Sequence, residues 1–221
     1  FDDLCRSRVA DQQANGDVGR GSVLPTVFVI SSGHARRYYA DQFEAHAQGI
    51  SLLLESPFRV VLKLHPSERD TAAYEDVIPS SLMQRLHVLP GHADFPDAVR
   101  SASVVYHMYS AAALESMCLG LPTLCESGAG ARPLYDLPDA GGGEWVRFDH
   151  VVSRAWELVR DEGERTRLIA RQDAFLRRAL ANQGGATRSV VDQLLGVAGR
   201  GLPAAARSAE GSGTVLGDSW L

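Results

Sequence analysis

Five short apolar runs, separated by stretches with helical periodicity, constrain this chain more than any other feature. They are Thr26-Val27-Phe28-Val29-Ile30, the run from Arg59 to Leu64, Leu86-His87-Val88-Leu89, Ser103-Val104-Val105-Tyr106-His107, and the run from Pro122 to Cys125. The first is β-branched, short and continuous, the pattern of a strand buried on both faces. Between them, Tyr39, Phe43, Ala47, Ile50 and Leu54 recur at three- and four-residue spacing, which predicts a helix from about Ala35 to Leu54. A polar helical stretch is expected from Glu68 to Val77 and a capped turn at Asp94 to Val99. Ser110 would cap a helix ending at Leu119, with Gly120 stopping it and Pro122 opening the next strand. Val151 to Arg160, Glu164 to Leu180 and Thr187 to Leu195 complete the helices. Residues 128 to 143 are expected to be loop.

Strands that alternate with helices pair in parallel, and the crossovers cover both faces. The fold class expected is therefore α/β, a Rossmann-like parallel sheet with helices on both faces. The strands are too few for a barrel of eight units. Residues 1–24 are polar and Gly-rich and read as a linker. Residues 25–197 form the domain, and residues 198–221, rich in Ala, Gly and Ser, form a flexible tail. The chain opens on Phe1 rather than Met, which suggests a piece of a longer protein.

The 221 residues carry a net charge of −5, which gives no nucleic-acid surface. No apolar run reaches the roughly 18 residues of a membrane span, and no stretch reads as a signal peptide. Cys5, Cys118 and Cys125 are an odd number without metal spacing and read as reduced thiols of a cytoplasmic protein. No metal site and no cofactor are expected.

In a parallel sheet, ligands sit beyond the carboxyl ends of the strands. Three groups fall there: Ser31 to His34, His65-Pro66, and His107 to Ser110. Ser32-Gly33-His34 forms a loop suited to cradling phosphate. Pro66 restricts the backbone of His65, whose imidazolium would neutralise a leaving phosphate or protonate it. A plain loop histidine is the alternative. Ser110, with the following amides and the small Ala111, would admit a phosphate at a helix start; alternatively it caps its helix and nothing more. Glu115, 1.4 turns further on, would accept from both hydroxyls of a ribose. Lys63 is the one lysine among 22 basic residues, either because its compact ammonium does what arginine cannot or because of codon usage. His34, His87, His92 and His107 are weaker candidates, and His107 reads as a satisfied core histidine. Arg36 and Arg37 would reach phosphate or simply line a charged helix face. Gly141-Gly142-Gly143 lacks the strand-to-helix context of a dinucleotide fingerprint.

At Lys63-Leu64-His65-Pro66, Ser110, Glu115 and Gly120-Leu121-Pro122 the chain resembles the C-terminal, donor-binding domain of GT-B-fold glycosyltransferases. It is most like the bacterial capsule and surface-polysaccharide type, namely Kdo and sialic-acid transferases and CDP-glycerol glycerophosphotransferases. These families carry Lys-x-His-Pro at a strand end, then a Ser, an acidic residue and Gly-x-Pro. Ala186-Thr187-Arg188 looks like the opening of their closing helix, so the likeness covers roughly residues 25 to 195. One departure is Tyr109-Ser110-Ala111, where several of these families have two adjacent serines. The resemblance implies one half of a GT-B fold and a glycosyltransferase. His65 would be catalytic, and Ser32, Gly33, His34, Lys63, Pro66, Tyr109, Ser110, Ala111 and Glu115 would bind the donor. The substrate implied is a CMP-, CDP- or UDP-linked sugar. The acceptor would belong to an N-terminal domain, with the parent protein at the inner face of the membrane. Nucleotide-sugar 2-epimerases share a similar string and a Ser-x-x-x-x-Glu helix, but theirs commonly begins Ser-Gly-Gly where this one begins Ser-Ala-Ala. A non-catalytic Rossmann-like assembly module is the third reading.

Overall fold

The computed structural model describes residues 24–128, 137–180 and 191. Six parallel strands form one sheet: β1 (Thr26–Ile30), β2 (Arg59–Lys63), β3 (His87–Leu89), β4 (Val104–His107), β5 (Thr123–Glu126) and β6 (Glu144–Val146). Their spatial order is β3-β2-β1-β4-β5-β6. Each neighbouring pair is parallel, as the alternating pattern requires. The α/β Rossmann-like reading is thus the observed fold.

The helices are α1 (Ala40–Glu55), α2 (Ala72–Glu75), α3 (Ser80–Met83), α4 (Phe95–Val99), α5 (Ala112–Cys118), α6 (Val151–Arg160) and α7 (Glu162–Ala179). On one face, Val27, Val29, Leu62, Val104 and Leu124 pack against Phe43, Ile50 and Leu54 of α1 and Val151, Ala155 and Leu158 of α6. On the other, Phe28, Ile30, Val61 and Val105 meet Val99 of α4. Ala113 and Met117 of α5 pack against Phe175 and Leu176 of α7. The last helix serves both layers, because its Leu168 joins the first core. Between these contacts, the fully buried Gln172 accepts from Thr123 N (2.9 Å) and donates to Leu121 O (2.8 Å), fixing α7 to the start of β5.

Two glycines permit close approaches. A Cβ on Gly49 would sit 2.5 Å from Tyr106 Oη, so α1 can press onto β4 only with glycine there. Gly143 has φ 109° and lies where a Cβ would meet Thr123 O at 3.0 Å. The glycine triplet is therefore the entry to β6.

Several expected elements differ. The first helix does not begin at Ala35: Gly33–Ala35 is a 3₁₀ turn and α1 starts at Ala40. Glu68 accepts from His34 N, and Tyr74 Oη accepts from Ser32 N, so partners distant in sequence shape the turn. The stretch expected to be helical from Glu68 to Val77 is helical only at α2, and α3 and β6 were not anticipated. The linker before residue 24, the helix at 187–195 and the tail from residue 198 lie outside the described residues, as do Cys5 and Ala186-Thr187-Arg188. Among the described residues Cys118 and Cys125 are free thiols, and no helix is long and apolar enough to cross a membrane.

Candidate functional site

The register places Ile30, Lys63, His107 and Cys125 side by side at the carboxyl edge of the sheet. The segments that leave this edge, Ser31–Ala35, Leu64–Glu68 and Met108–Ala111, carry the groups expected there, Ser31 to His34, His65-Pro66 and, with His107 at the end of β4, His107 to Ser110. They converge. The imidazoles of His34 and His65 stack with centroids 4.1 Å apart and planes inclined by 29°. Tyr109 lies edge-on to His34 at 6.4 Å and to Tyr39 at 5.8 Å, making an aromatic wall. His65 and Pro66 are exposed. Burial lowers the His65 pKa, and the neighbouring His34 adds to that.

Glu68, which the sequence reading placed in a helix, is the hub of this edge. One oxygen accepts from His34 N (2.7 Å) and pairs with His34 Nδ1 (3.1 Å). The other accepts from His65 N (3.0 Å) and from the Ser31 hydroxyl. Tyr74 Oη closes the network on Ser31 Oγ at 2.9 Å. The nearest sequence signal is an acidic residue three positions after a strand-end histidine, and nothing local ties it to Ser31. Gly33 is crowded from three sides: a Cβ there would lie 3.2 Å from both Ala73 Cβ and Glu68 Oε1 and 3.3 Å from the Tyr74 ring.

Lys63 is buried, its ammonium donating to Gly91 O (2.9 Å) and Leu64 O (3.4 Å). It braces the ends of β2 and β3, a role the sequence reading did not assign. Burial lowers its pKa, while the charges of Glu115, Asp94 and Glu68 oppose that shift. The charges of three acidic groups from separate elements thus act on one cation. Gly91 packs so tightly that a Cβ would lie 2.6 Å from His65 O and 2.9 Å from Pro66 Cα. Glu115 is half-buried; burial raises its pKa and the Lys63 ammonium counteracts this. A carboxylate so placed is suited to accepting from hydroxyls. Ser110 Oγ accepts from Ala112 N at 3.2 Å, but the N-cap position of α5 is Ala111, exposed beside it, so Ser110 sits one residue before the cap expected of it.

Other candidates stand apart. Ser32 is fully buried, its hydroxyl has no partner among the described residues, and its N–H donates to Tyr74 Oη. His107 is buried, but neither ring nitrogen is bonded among the described residues, correcting the expectation of a satisfied core histidine. Burial lowers its pKa to about 3, so it is neutral. His87 and His92 are exposed. Arg36 is held by Asp76 (2.6 Å) and Ala73 O (3.1 Å), and Arg37 lies over the Tyr38 ring. At the end of β5, the buried Glu126 accepts from Tyr106 Oη (2.5 Å) and from Gly128 N (2.9 Å). It borders a cavity of about 270 Å³ lined also by Arg147 and Phe148.

No family model matches the chain, and no curated protein matches it. Solved structures do. The UDP-GlcNAc 2-epimerase of Neisseria meningitidis bound to UDP-GlcNAc matches with TM-score 0.56 at 13% identity, over 89% of this chain and 52% of that one. CalG4, the calicheamicin glycosyltransferase, matches with TM-score 0.52 at 20% identity, over 85% and 45%. The spinosyn rhamnosyltransferase SpnG matches with TM-score 0.51 at 14% identity, over 78% and 46%. The chain therefore spans about half the length of these structures. At such identities the likeness shows the fold, a Rossmann-like unit of the kind found in GT-B glycosyltransferases and UDP-GlcNAc 2-epimerases.

Proposed function

We propose that this chain is the nucleotide-sugar-binding half of a GT-B-type enzyme, with residues 25–197 as the binding domain. The observation that carries the reading is the convergence of stacked His34 and His65 with Glu68, Ser110 and Glu115 at the carboxyl edge of the sheet. Imidazoles beside a helix start suit a diphosphate, and a half-buried carboxylate suits ribose hydroxyls. His65 is the residue placed to hold the departing phosphate and return a proton to it. In the transferase reading, the enzyme moves a sugar from a CMP-, CDP- or UDP-linked donor onto a surface polysaccharide. The saccharide acceptor then occupies a further N-terminal domain of the parent protein, stationed at the inner face of the membrane. The Lys63-to-Pro66 and Gly120-Leu121-Pro122 strings support that reading. An epimerase reading is supported by the neighbour holding UDP-GlcNAc, which matches over 89% of this chain. Both readings share the nucleotide site.

Thermal melting with millimolar CMP, CDP, UDP and GDP tests the site. At 100 dissociation constants of ligand the expected stabilisation is about 2.7 kcal/mol, a rise of roughly 5–10 °C for a chain of this size. One base should dominate, and His65→Ala should abolish the shift without lowering the melting temperature of the free chain, because the ring is exposed. No response to any nucleotide, in this chain or its full-length parent, would leave the assembly-module reading in place.

A further inference from the structure

We infer that Glu68 is a positioning residue that holds His34 and His65 in opposite tautomers, so that the stacked pair presents one N–H and one lone pair to the same ligand. The inference rests on the nucleotide-sugar reading only for the identity of that ligand.

The geometry leaves each ring one choice. A carboxylate can only accept, so the 3.1 Å contact between His34 Nδ1 and Glu68 Oε1 puts the His34 proton on Nδ1. In the neutral ring Nε2 is then the lone pair. His65 is the reverse. The backbone N–H of Ser67 is an obligate donor and points at His65 Nδ1 at 3.2 Å. The Ser67 hydroxyl lies 2.7 Å from the same atom. Two donors converging on Nδ1 make it the acceptor, and the proton of the neutral ring resides on Nε2. Burial and the adjacent imidazole both lower the His65 pKa, which favours this neutral form. Among the described residues neither Nε2 has a hydrogen-bond partner.

Glu68 sets both choices from one side chain. Its first oxygen fixes the His34 proton, and its second fixes the backbone of His65, whose turn brings Ser67 N onto His65 Nδ1. The charged groups that act on His65 are Glu68 and Lys63, and Asp94 and Glu115 act in turn on that ammonium. Tyr109 and Tyr39 supply the remaining wall. A diphosphate oxygen would accept from His65 Nε2–H, while His34 Nε2 would accept from a hydroxyl of the ligand. Two identical residues thereby acquire different chemical roles.

Long-range proton–nitrogen NMR spectra of the ¹⁵N-histidine-labelled free chain at neutral pH read both tautomers directly. The expected result is His65 protonated on Nε2 and His34 on Nδ1. Glu68→Gln should erase the His34 preference. Ser67→Ala, which keeps the backbone donor, should leave His65 unchanged. Binding of UDP-N-acetylglucosamine should weaken about tenfold in Glu68→Gln and stay within about twofold in Ser67→Ala. Both wild-type rings protonated on the same nitrogen would overturn the inference, and that spectrum decides even if Glu68→Gln fails to fold. A His34 tautomer indifferent to a folded Glu68→Gln would overturn it equally, while intact sugar-nucleotide binding would leave the proposed function standing. Opposite tautomers in a chain that binds no sugar nucleotide would uphold the positioning role and remove the functional reading.

Discussion

Acid should destabilise this fold well before its carboxylates are protonated, because of two imidazoles that its core leaves unbonded. His46 on α1 and His107 on β4 are fully buried, and no ring nitrogen of either is bonded among the described residues. Burial lowers each pKa to about 3 from the ordinary 6.5, and for His46 the nearby His107 adds to the effect. Between those values the unfolded chain takes up protons that the folded chain refuses. Stability is therefore full above 6.5 and falls as the pH drops through it. From about pH 7.5 to about pH 5, each ring costs about 2 kcal/mol and the pair about 4 kcal/mol. That is a large share of the roughly 5–15 kcal/mol that stabilises a typical domain. Glu126 works in the other direction, since burial raises its pKa and acid favours its folded form. Urea denaturation at both pH values measures the sum, and His46→Leu and His107→Leu isolate the imidazoles. Leucine forfeits no hydrogen bond at either position, so each variant should lose about half of the pH dependence. A wild-type stability that does not fall between the two pH values, or a double variant that keeps the whole fall, would refute the reasoning.

Two further changes probe the supports of the site and sheet. Gly91→Ala forces a methyl to within 2.6 Å of His65 O, at a position whose φ is not positive, so the cost is steric. It should destabilise by about 1–3 kcal/mol and weaken nucleotide binding, seen in melts with and without ligand. Gly163→Ala is a milder comparison: the nearest atom, at 3.1 Å, is Asp161 Oδ1, which caps α7 through Glu164 N, so the methyl sets helix propensity against that cap, and its melt should fall less than that of Gly91→Ala. Gln172→Leu strands Thr123 N–H, while Leu121 C=O keeps the Thr123 hydroxyl, at about 1–3 kcal/mol. The resulting fall in melting temperature should be roughly 2–12 °C.

The strands β1, β2, β4 and β5 were legible because burial on both faces selects apolar residues at every position. The core-facing side of α1 was legible for the same reason, with Phe43, Ala47, Ile50 and Leu54 all buried. What the sequence concealed is what a distant partner imposes. Three residues of β6 are too few to display a period, and its place depends on Gly143 meeting Thr123 across the chain. The 3₁₀ turn at Gly33 exists because Glu68 and Tyr74 hold its amides from more than thirty residues away. The candidate site divides in the same way. His65, Ser110 and Glu115 follow from the rule that ligands gather at strand ends and helix starts. Glu68 has its meaning only through Ser31, His34 and His65, and no local pattern announces it. His107 was placed correctly in the core, yet the absence of a partner there is a property of packing and not of composition.

The close fit of Gly91 against His65 and Pro66, with Lys63 bonded beneath, carries one more consequence. This part of the sheet edge is shaped during folding, by atoms of the chain itself. On the nucleotide-sugar reading proposed above, a ligand would meet a preformed surface, and little configurational freedom would be surrendered on binding.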